Sequence, residues 1–240
     1  MSAETSLVEW NARVHRARGI GRWRRLYLEF LKGETPDSVL EMGSGDPSFL
    51  LALSEVPRRV ALDGNATLAE KYAVAGVEFH ALDFDHEELP AGLACFDVAV
   101  CSDVFEHLIY PLKTLLRLRD ILAKGGVLYS HVPNEFQLHK TLKIMIGRRP
   151  GVYHHDAEEW NDPHLRRFTD LGYQRFLKNG FEYNLKIGDI LESSLRRMLR
   201  RMQFNLPYCL ELGPTYASTN DQRTYQELTR IKRSLLRNGI

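Results

Sequence analysis

Apolar positions along this chain fall into two kinds of pattern. Short strand-like runs lie at 39–42, 59–63, 77–82, 96–101 and 127–132. Between them, apolar residues recur at helical spacing over 47–53, 68–74 and 112–122. The nearly unbroken run at 96–101 predicts a strand covered on both faces, as in a parallel sheet, and the intervening periodicity predicts helices. Residues 1–33 read as helical, with Val8, Val14, Leu26, Tyr27, Phe30 and Leu31 interspersed with charge. Beyond the fifth run, 134–170 is irregular and rich in His, Arg and Trp. A short helix over 171–179 and a strand over 181–187 follow. Residues 191–202 form a basic amphipathic pattern with Leu191, Leu195, Met198, Leu199 and Met202 on one face. The last helix spans 221–236.

Strands that alternate with helices predict an α/β fold with right-handed crossovers, a Rossmann-like doubly wound and mostly parallel sheet with helices on both faces. The pattern divides the chain into an N-terminal helical cap (1–34), a Rossmann-like core (35–133), an irregular insert (134–170) and a C-terminal completion of the sheet (171–240). Ligands of such sheets bind at the carboxyl ends of the strands. The informative positions are therefore Gly43 and Gly45 after the first run, Asp63 after the second, Asp83 after the third, and Ser102 and Asp103 after the fourth. Glycine lets the chain turn sharply and lets a ligand approach the main chain. Asp46 and Pro47 suit a helix start. Asp63 stands eighteen residues after Gly45, where an acid is placed to accept hydrogen bonds from ribose hydroxyls. Asp63-Gly64-Asn65 is equally a good strand-end turn.

Composition narrows the classes. The formal net charge of the 240 residues is +1, so no global field points to nucleic acid. Three cysteines, Cys95, Cys101 and Cys209, show neither metal spacing nor a disulfide framework, and read as thiols of a reducing compartment. No apolar run is long enough to span a bilayer, and the polar N-terminus shows no signal-peptide pattern, so a cytoplasmic location is expected. Between Glu9 and Glu29 there is no acid, while Arg13, Arg16, Arg18, Arg22, Arg24 and Arg25 are cationic. That segment reads first as a solvated helical face; the alternatives are a hold on an anionic acceptor or peripheral membrane contact. His154-His155-Asp156 with Glu158 and Glu159 has metal-ligand composition, but adjacent histidines on a loop chelate one ion poorly, and no metal is expected.

The ordered motifs carry a resemblance. Residues 38–133 resemble the core of class I S-adenosylmethionine-dependent methyltransferases, in the small-molecule branch with a Glu-His pair after strand four. Val39-Leu40-Glu41-Met42-Gly43-Ser44-Gly45 is similar to that family's first motif, with Pro47 where a third glycine often stands. Leu82-Asp83-Phe84 resembles the adenine-holding pair, and the run from Phe96 through Asp103, Glu106 and His107 to Leu108 resembles the fourth motif. His164-Leu165-Arg166-Arg167-Phe168-Thr169 resembles a segment that precedes the last strands. The resemblance implies a seven-stranded sheet and S-adenosyl-L-methionine as cofactor, leaving S-adenosyl-L-homocysteine as product. It implies cofactor contacts from Glu41, Gly43, Ser44, Gly45, Asp63, Gly64, Asp83, Phe84, Ser102 and His107.

The expected reaction is methyl transfer to a small-molecule acceptor, at an oxygen of a sugar, glycan, lipid-linked or secondary-metabolite substrate. Base candidates are His107, Asp103 and His164, with His131, Asn134, His154 and His155 as further ones. The insert is expected to cover the acceptor pocket. Two alternatives stand beside this reading: an NAD(P)-dependent oxidoreductase, which Ser48 in place of a third glycine disfavours, and a non-catalytic nucleotide-binding module of the same fold. The acceptor is expected to be a small molecule, anionic or neutral, and not a nucleic acid; an oligomer is left open.

Overall fold

The computed structural model describes residues 20–32, 35–134, 142, 145–147, 164–191 and 214–238. Strand β1 (Ser38–Met42) leads through α2 (Ser48–Leu51) to β2 (Arg58–Asp63), and α3 (Ala69–Val74) leads on to β3 (Glu78–Ala81). Ahead of them stands α1 (Arg22–Leu31). The chain then crosses to β4 (Phe96–Ser102), α4 (Pro111–Ile121) and β5 (Leu122–His131). It finishes with α5 (Asp170–Leu177), β6 (Tyr183–Lys186), β7 (Thr215–Thr219) and α6 (Gln222–Asn238). The seven strands lie in the order β3-β2-β1-β4-β5-β7-β6. Pairings from β3 through β5 are parallel, and β7 runs antiparallel to both β5 and β6.

Strand alternation sorts the core into two layers. Val39, Val98, Val100, Val127 and Tyr129 point to the face covered by α1, α2, α3 and α6, where Tyr27, Phe30, Phe49, Tyr72 and Leu228 meet them. Leu40, Met42, Ala99, Cys101 and Leu128 point to the other face, against Leu115 and Leu118 of α4 and Tyr173 and Leu177 of α5. Every residue of β1 is buried, which is why that stretch reads as an unbroken apolar run. Chain order reverses between β1 and β4, and the crevice at a sheet's switch point is where ligands of such folds bind.

Several boundaries differ from the sequence expectation. Helix α2 is one turn, begun after Pro47, with Asp46 Oδ1 accepting from Ser48 N at 2.9 Å. The glycine pair that was expected to separate α4 from a strand beginning at Val127 lies inside β5. Phe96 pairs with Leu122, whereas Val98 pairs with Val127, so the intervening residues bulge out of register. A Cβ on Gly126 would stand 2.9 Å from Phe96 O, which explains a glycine there. Strand β7 was foreseen only through the resemblance. Its residues, Thr-Tyr-Ala-Ser-Thr, look polar although all five are buried. The expected helix over 191–202 and most of the 134–170 insert lie outside the described residues.

Where β4 begins, one carboxylate ties three chain donors together. Asp97 Oδ2 accepts from Asp37 N, Ser38 N and Ser38 Oγ, each at 2.9 Å, and Ser38 Oγ accepts from Asp97 N at 3.0 Å. Asp97→Ala leaves these donors without their acceptor and is expected to lower the unfolding free energy by about 2–3 kcal/mol. Urea denaturation measures this, and a loss under about 0.5 kcal/mol would show that water replaces the carboxylate fully.

Candidate functional site

The loop after β1 is the floor of the site. Gly43 and Gly45 adopt φ of +68° and +63°, values that side-chain-bearing residues rarely take. A Cβ on Gly43 would fall 2.3 Å from Val104 Cγ2, so the turn after β1 presses directly on the turn after β4. Gly43 N donates to Leu62 O at 2.8 Å, and Gly45 N donates to Asp63 Oδ2 at 2.9 Å. Asp63 Oδ1 accepts from Asn65 N at 2.9 Å. Asp63 thus serves as the strand-end cap and also fastens the glycine turn to the end of β2. Gly64 is exposed, with only Leu82 O near, at 3.8 Å from where a Cβ would sit.

Beneath the loop lies a buried ion pair. Glu41 is fully buried on the α1 side of β1, and Arg24 Nε lies 2.6 Å from its Oε1. Arg24 Nη2 also donates to Ser44 O at 3.1 Å and Gly43 O at 3.3 Å. Burial outweighs the attraction of Arg24 and lifts the Glu41 carboxyl to about 7. Oε2 of Glu41 takes no hydrogen bond among the described residues. The sequence reading placed Arg24 on a solvated basic face. Its side chain is only 17% exposed and it clamps the glycine turn instead. One signal was available: Glu41 sits in an apolar run, and a carboxylate there calls for a cation.

The other wall follows β4. Asp103 holds φ +56°, and its amide donates to His131 O at 3.0 Å. Its side chain keeps 55% of its surface open, so its desolvation is partial; that desolvation pushes the carboxyl up, toward about 6, against the pull of Arg24. His131, at the end of β5, lies with Nε2 3.6 Å from Asp103 Oδ1 and shares a 2.8 Å hydrogen bond with Thr215 Oγ1. Trp23 of α1 stacks on its ring at 4.1 Å. Burial lowers His131 to about 3, so it is neutral and enclosed. Ser102, expected at the cofactor, is buried and shares a 3.1 Å hydrogen bond with Tyr27 of α1.

At the ends of β3 and β4 the picture divides. Asp83 is exposed and turned toward its own loop. Its Oδ1 accepts from Asp85 N at 2.9 Å and its Oδ2 meets His86 Nδ1 at 2.8 Å. Phe84 is half-buried against the α4 layer, and its carbonyl accepts from Arg117. Past Asp103, Glu106 is buried and His107 Nε2 stands 3.9 Å from its Oε1. The ring of His164 meets the His107 ring edge-on at 4.5 Å. The structure therefore brings His107 and His164 together, while His154 and His155 lie outside the described residues. A separate cavity of about 640 Å³, with Asp97, Lys124 and Arg230 on its walls, opens where β4 begins and away from the carboxyl ends.

Arg24→Met is expected to cost about 3–5 kcal/mol near pH 8, because it strands a buried carboxylate. Glu41 has a raised folded value. Protonated Glu41 therefore favours the fold at low pH, and that contribution is lost as pH rises through about 7. Removing the cation deepens this loss, so the variant's deficit should shrink at pH 5.5. Urea titrations at the two pH values check it; a deficit independent of pH would mean that Arg24 acts through packing alone.

A family model described as a methyltransferase domain matches residues 14–206. Among solved structures, this chain superposes with TM-score 0.60 on a chain from a complex between the Haloferax volcanii Trm112 methyltransferase activator and a methyltransferase, at 18% identity over 92% of this chain and 99% of that one. It superposes with TM-score 0.57 on the plantazolicin methyltransferase BpumL, at 18% identity, covering 89% of this chain and 91% of that one. Among curated proteins, a tRNA U34 carboxymethyltransferase of Pseudomonas putida is 49% identical over 47 residues. That match spans 20% of this chain and only 15% of the relative. The family match covers most of the chain and the sheet order agrees with it, so the chain belongs to the methyltransferase-domain family, with the class I S-adenosylmethionine-dependent fold.

Proposed function

We propose that this protein moves a methyl group from S-adenosyl-L-methionine to an oxygen of a small-molecule acceptor, with Asp103 as the proton acceptor. The observation that carries the reading is Asp103 itself. It is a carboxylate in a left-handed conformation, joined to the glycine turn through Val104, with 55% of its side-chain surface open to an acceptor. An open carboxylate at that place can take a hydroxyl proton.

The residues present fit the cofactor's chemistry. It brings an ammonium group, a ribose diol and an adenine. Glu41 Oε2 is an acceptor without a hydrogen bond at the foot of the turn. The Asp63 carboxylate uses one site on each oxygen for Gly45 and Asn65, and an ionised carboxylate offers about four, so it can also accept ribose hydroxyls. Gly64 leaves open space beside it. Asp83 and Phe84 reach an adenine only if Asp83 exchanges His86 for the ligand. When bound, the sulfonium supplies an already electrophilic methyl group. The protein's part is to align the acceptor, exclude water and take the proton at Asp103. His107 and His164 border the same side.

A second reading has one specific support. The 47-residue match to relatives named for tRNA favours a nucleoside acceptor, against the near-neutral charge. Titration calorimetry with S-adenosylhomocysteine, NAD and tRNA separates these readings. Binding of S-adenosylhomocysteine alone is expected, and tight NAD binding without it would overturn the proposal. Asp63→Ala is expected to weaken that binding by about 1.5–3 kcal/mol for each charge-assisted hydrogen bond lost.

Asp103→Asn keeps the left-handed backbone, since asparagine tolerates it. It should retain S-adenosylhomocysteine binding yet lose roughly a hundredfold or more in methyl transfer. The wild-type rate should rise as pH passes through about 6, where Asp103 gives up its proton, and the variant should lose that step. A variant with near-normal turnover would show that transfer proceeds by alignment alone.

A further inference from the structure

The Glu-His pair after β4 is only partly absorbed by the reading above. Glu106, His107 and His164 place one ligand atom each within 4.8 Å of one another. We propose that these three residues bind one divalent transition-metal ion at the edge of the site.

Two ligands that each stand about 2.1 Å from one ion are about 3.0–3.4 Å apart in octahedral or tetrahedral coordination. His107 Nε2 and Glu106 Oε1 stand 3.9 Å apart, and all three ligand atoms lie within 4.8 Å of one another. Side-chain rotation that closes each separation by up to about 1.5 Å would complete the site. One carboxylate and two imidazoles form the donor set of three-ligand zinc and iron sites, which keep positions open for water or substrate. Imidazole nitrogen favours zinc, cobalt or iron over magnesium or calcium.

The donors are held from behind. His107 N donates to Val104 O at 2.9 Å, fixing the turn that carries the pair. Arg166 N donates to Glu106 O at 2.9 Å, and Arg166 Nη2 donates to Ile109 O at 2.9 Å. These bonds dock the segment of His164 on the 106–109 turn, although more than fifty residues separate them in sequence. Glu106 is 1% exposed, whereas His107 keeps 29% of its side-chain surface open. An ion here is enclosed on the Glu106 side and reachable past His107. It sits three residues beyond Asp103, where it can hold an acceptor through a hydroxyl or carboxylate oxygen and make that hydroxyl more acidic. Only that role rests on the methyl-transfer reading; the binding does not.

The experiment uses the full chain after chelator treatment and dialysis. Cobalt(II) alone is titrated and followed by its visible absorption, and zinc alone by calorimetry. One equivalent should bind, magnesium in excess should not displace it, and His107→Ala and His164→Ala should each weaken binding by about 10–100-fold. Glu106→Gln should do the same. If it fails to fold, the two histidine variants carry the test, because both positions are partly open. Each variant is also melted thermally, and the wild type is titrated with S-adenosylhomocysteine. Lost metal binding with an unchanged melting transition supports the site. Failure of the wild type to bind S-adenosylhomocysteine would sink the methyltransferase reading and leave the metal result standing. No stoichiometric metal binding, or binding that survives His107→Ala/His164→Ala together, overturns the proposal.

Discussion

A carboxylate buried in the middle of a hydrophobic layer has to be compensated, and in this protein Arg24 provides the compensation. Glu41 points from β1 into the same layer as Val39, Tyr27 and Phe30. Without a cation it would be among the most costly groups in the fold. Arg24 reaches it from α1 and then spends its remaining donor capacity on the carbonyls of Gly43 and Ser44. The N-terminal helix is thereby joined to the glycine turn. Its other contacts follow from the same docking: Tyr27 on Ser102, and Trp23 on His131. One helix touches the loop after β1 and the carboxyl ends of β4 and β5, where the cleft opens.

Several side chains with a claim on a ligand already have partners within the protein. Asp63 holds the turn, Asp83 holds its own loop, and Ser102 pairs with Tyr27. These bonds differ in what they imply. The bonds of Asp63 set the shape of the turn in advance and leave acceptor capacity over, which is preorganisation. Those of Asp83 are made by an exposed side chain within one loop, so they are exchanged cheaply when a ligand arrives. Ser102 is enclosed beneath α1 and would have to break a buried bond to meet a ligand.

Much of this was legible in the sequence, for a physical reason. Strands buried on both faces leave unbroken apolar runs, so β1, β2 and β4 appear close to their true positions. Turns that need a positive φ or close packing demand glycine, so Gly43 and Gly45 mark the loop. The parts that stayed hidden lack such marks. Strand β7 buries Thr215, Ser218 and Thr219 at the sheet's antiparallel side, and hydroxyl residues do not read as core. Arg24 sits among five other arginines of a basic segment, and nothing local separates it from them. The meeting of His107 and His164 depends on a chain return that no spacing encodes.

That division also runs through the site itself. The floor of the cleft is made mostly by backbone: Gly43 and Gly45 in left-handed conformations after β1 and Asp103 likewise after β4, with Val104 filling the space a Cβ on Gly43 would need. Backbone geometry of this kind tolerates few residue types, so it writes itself into short motifs. The far edge of the cleft is made by side chains from separate segments, such as His107 and His164, whose rings meet at 4.5 Å. Only the return of a distant segment brings such side chains together, so they follow no short motif. In this chain the backbone floor rests on Arg24 and Glu41, which fasten the glycine turn to the N-terminal helix.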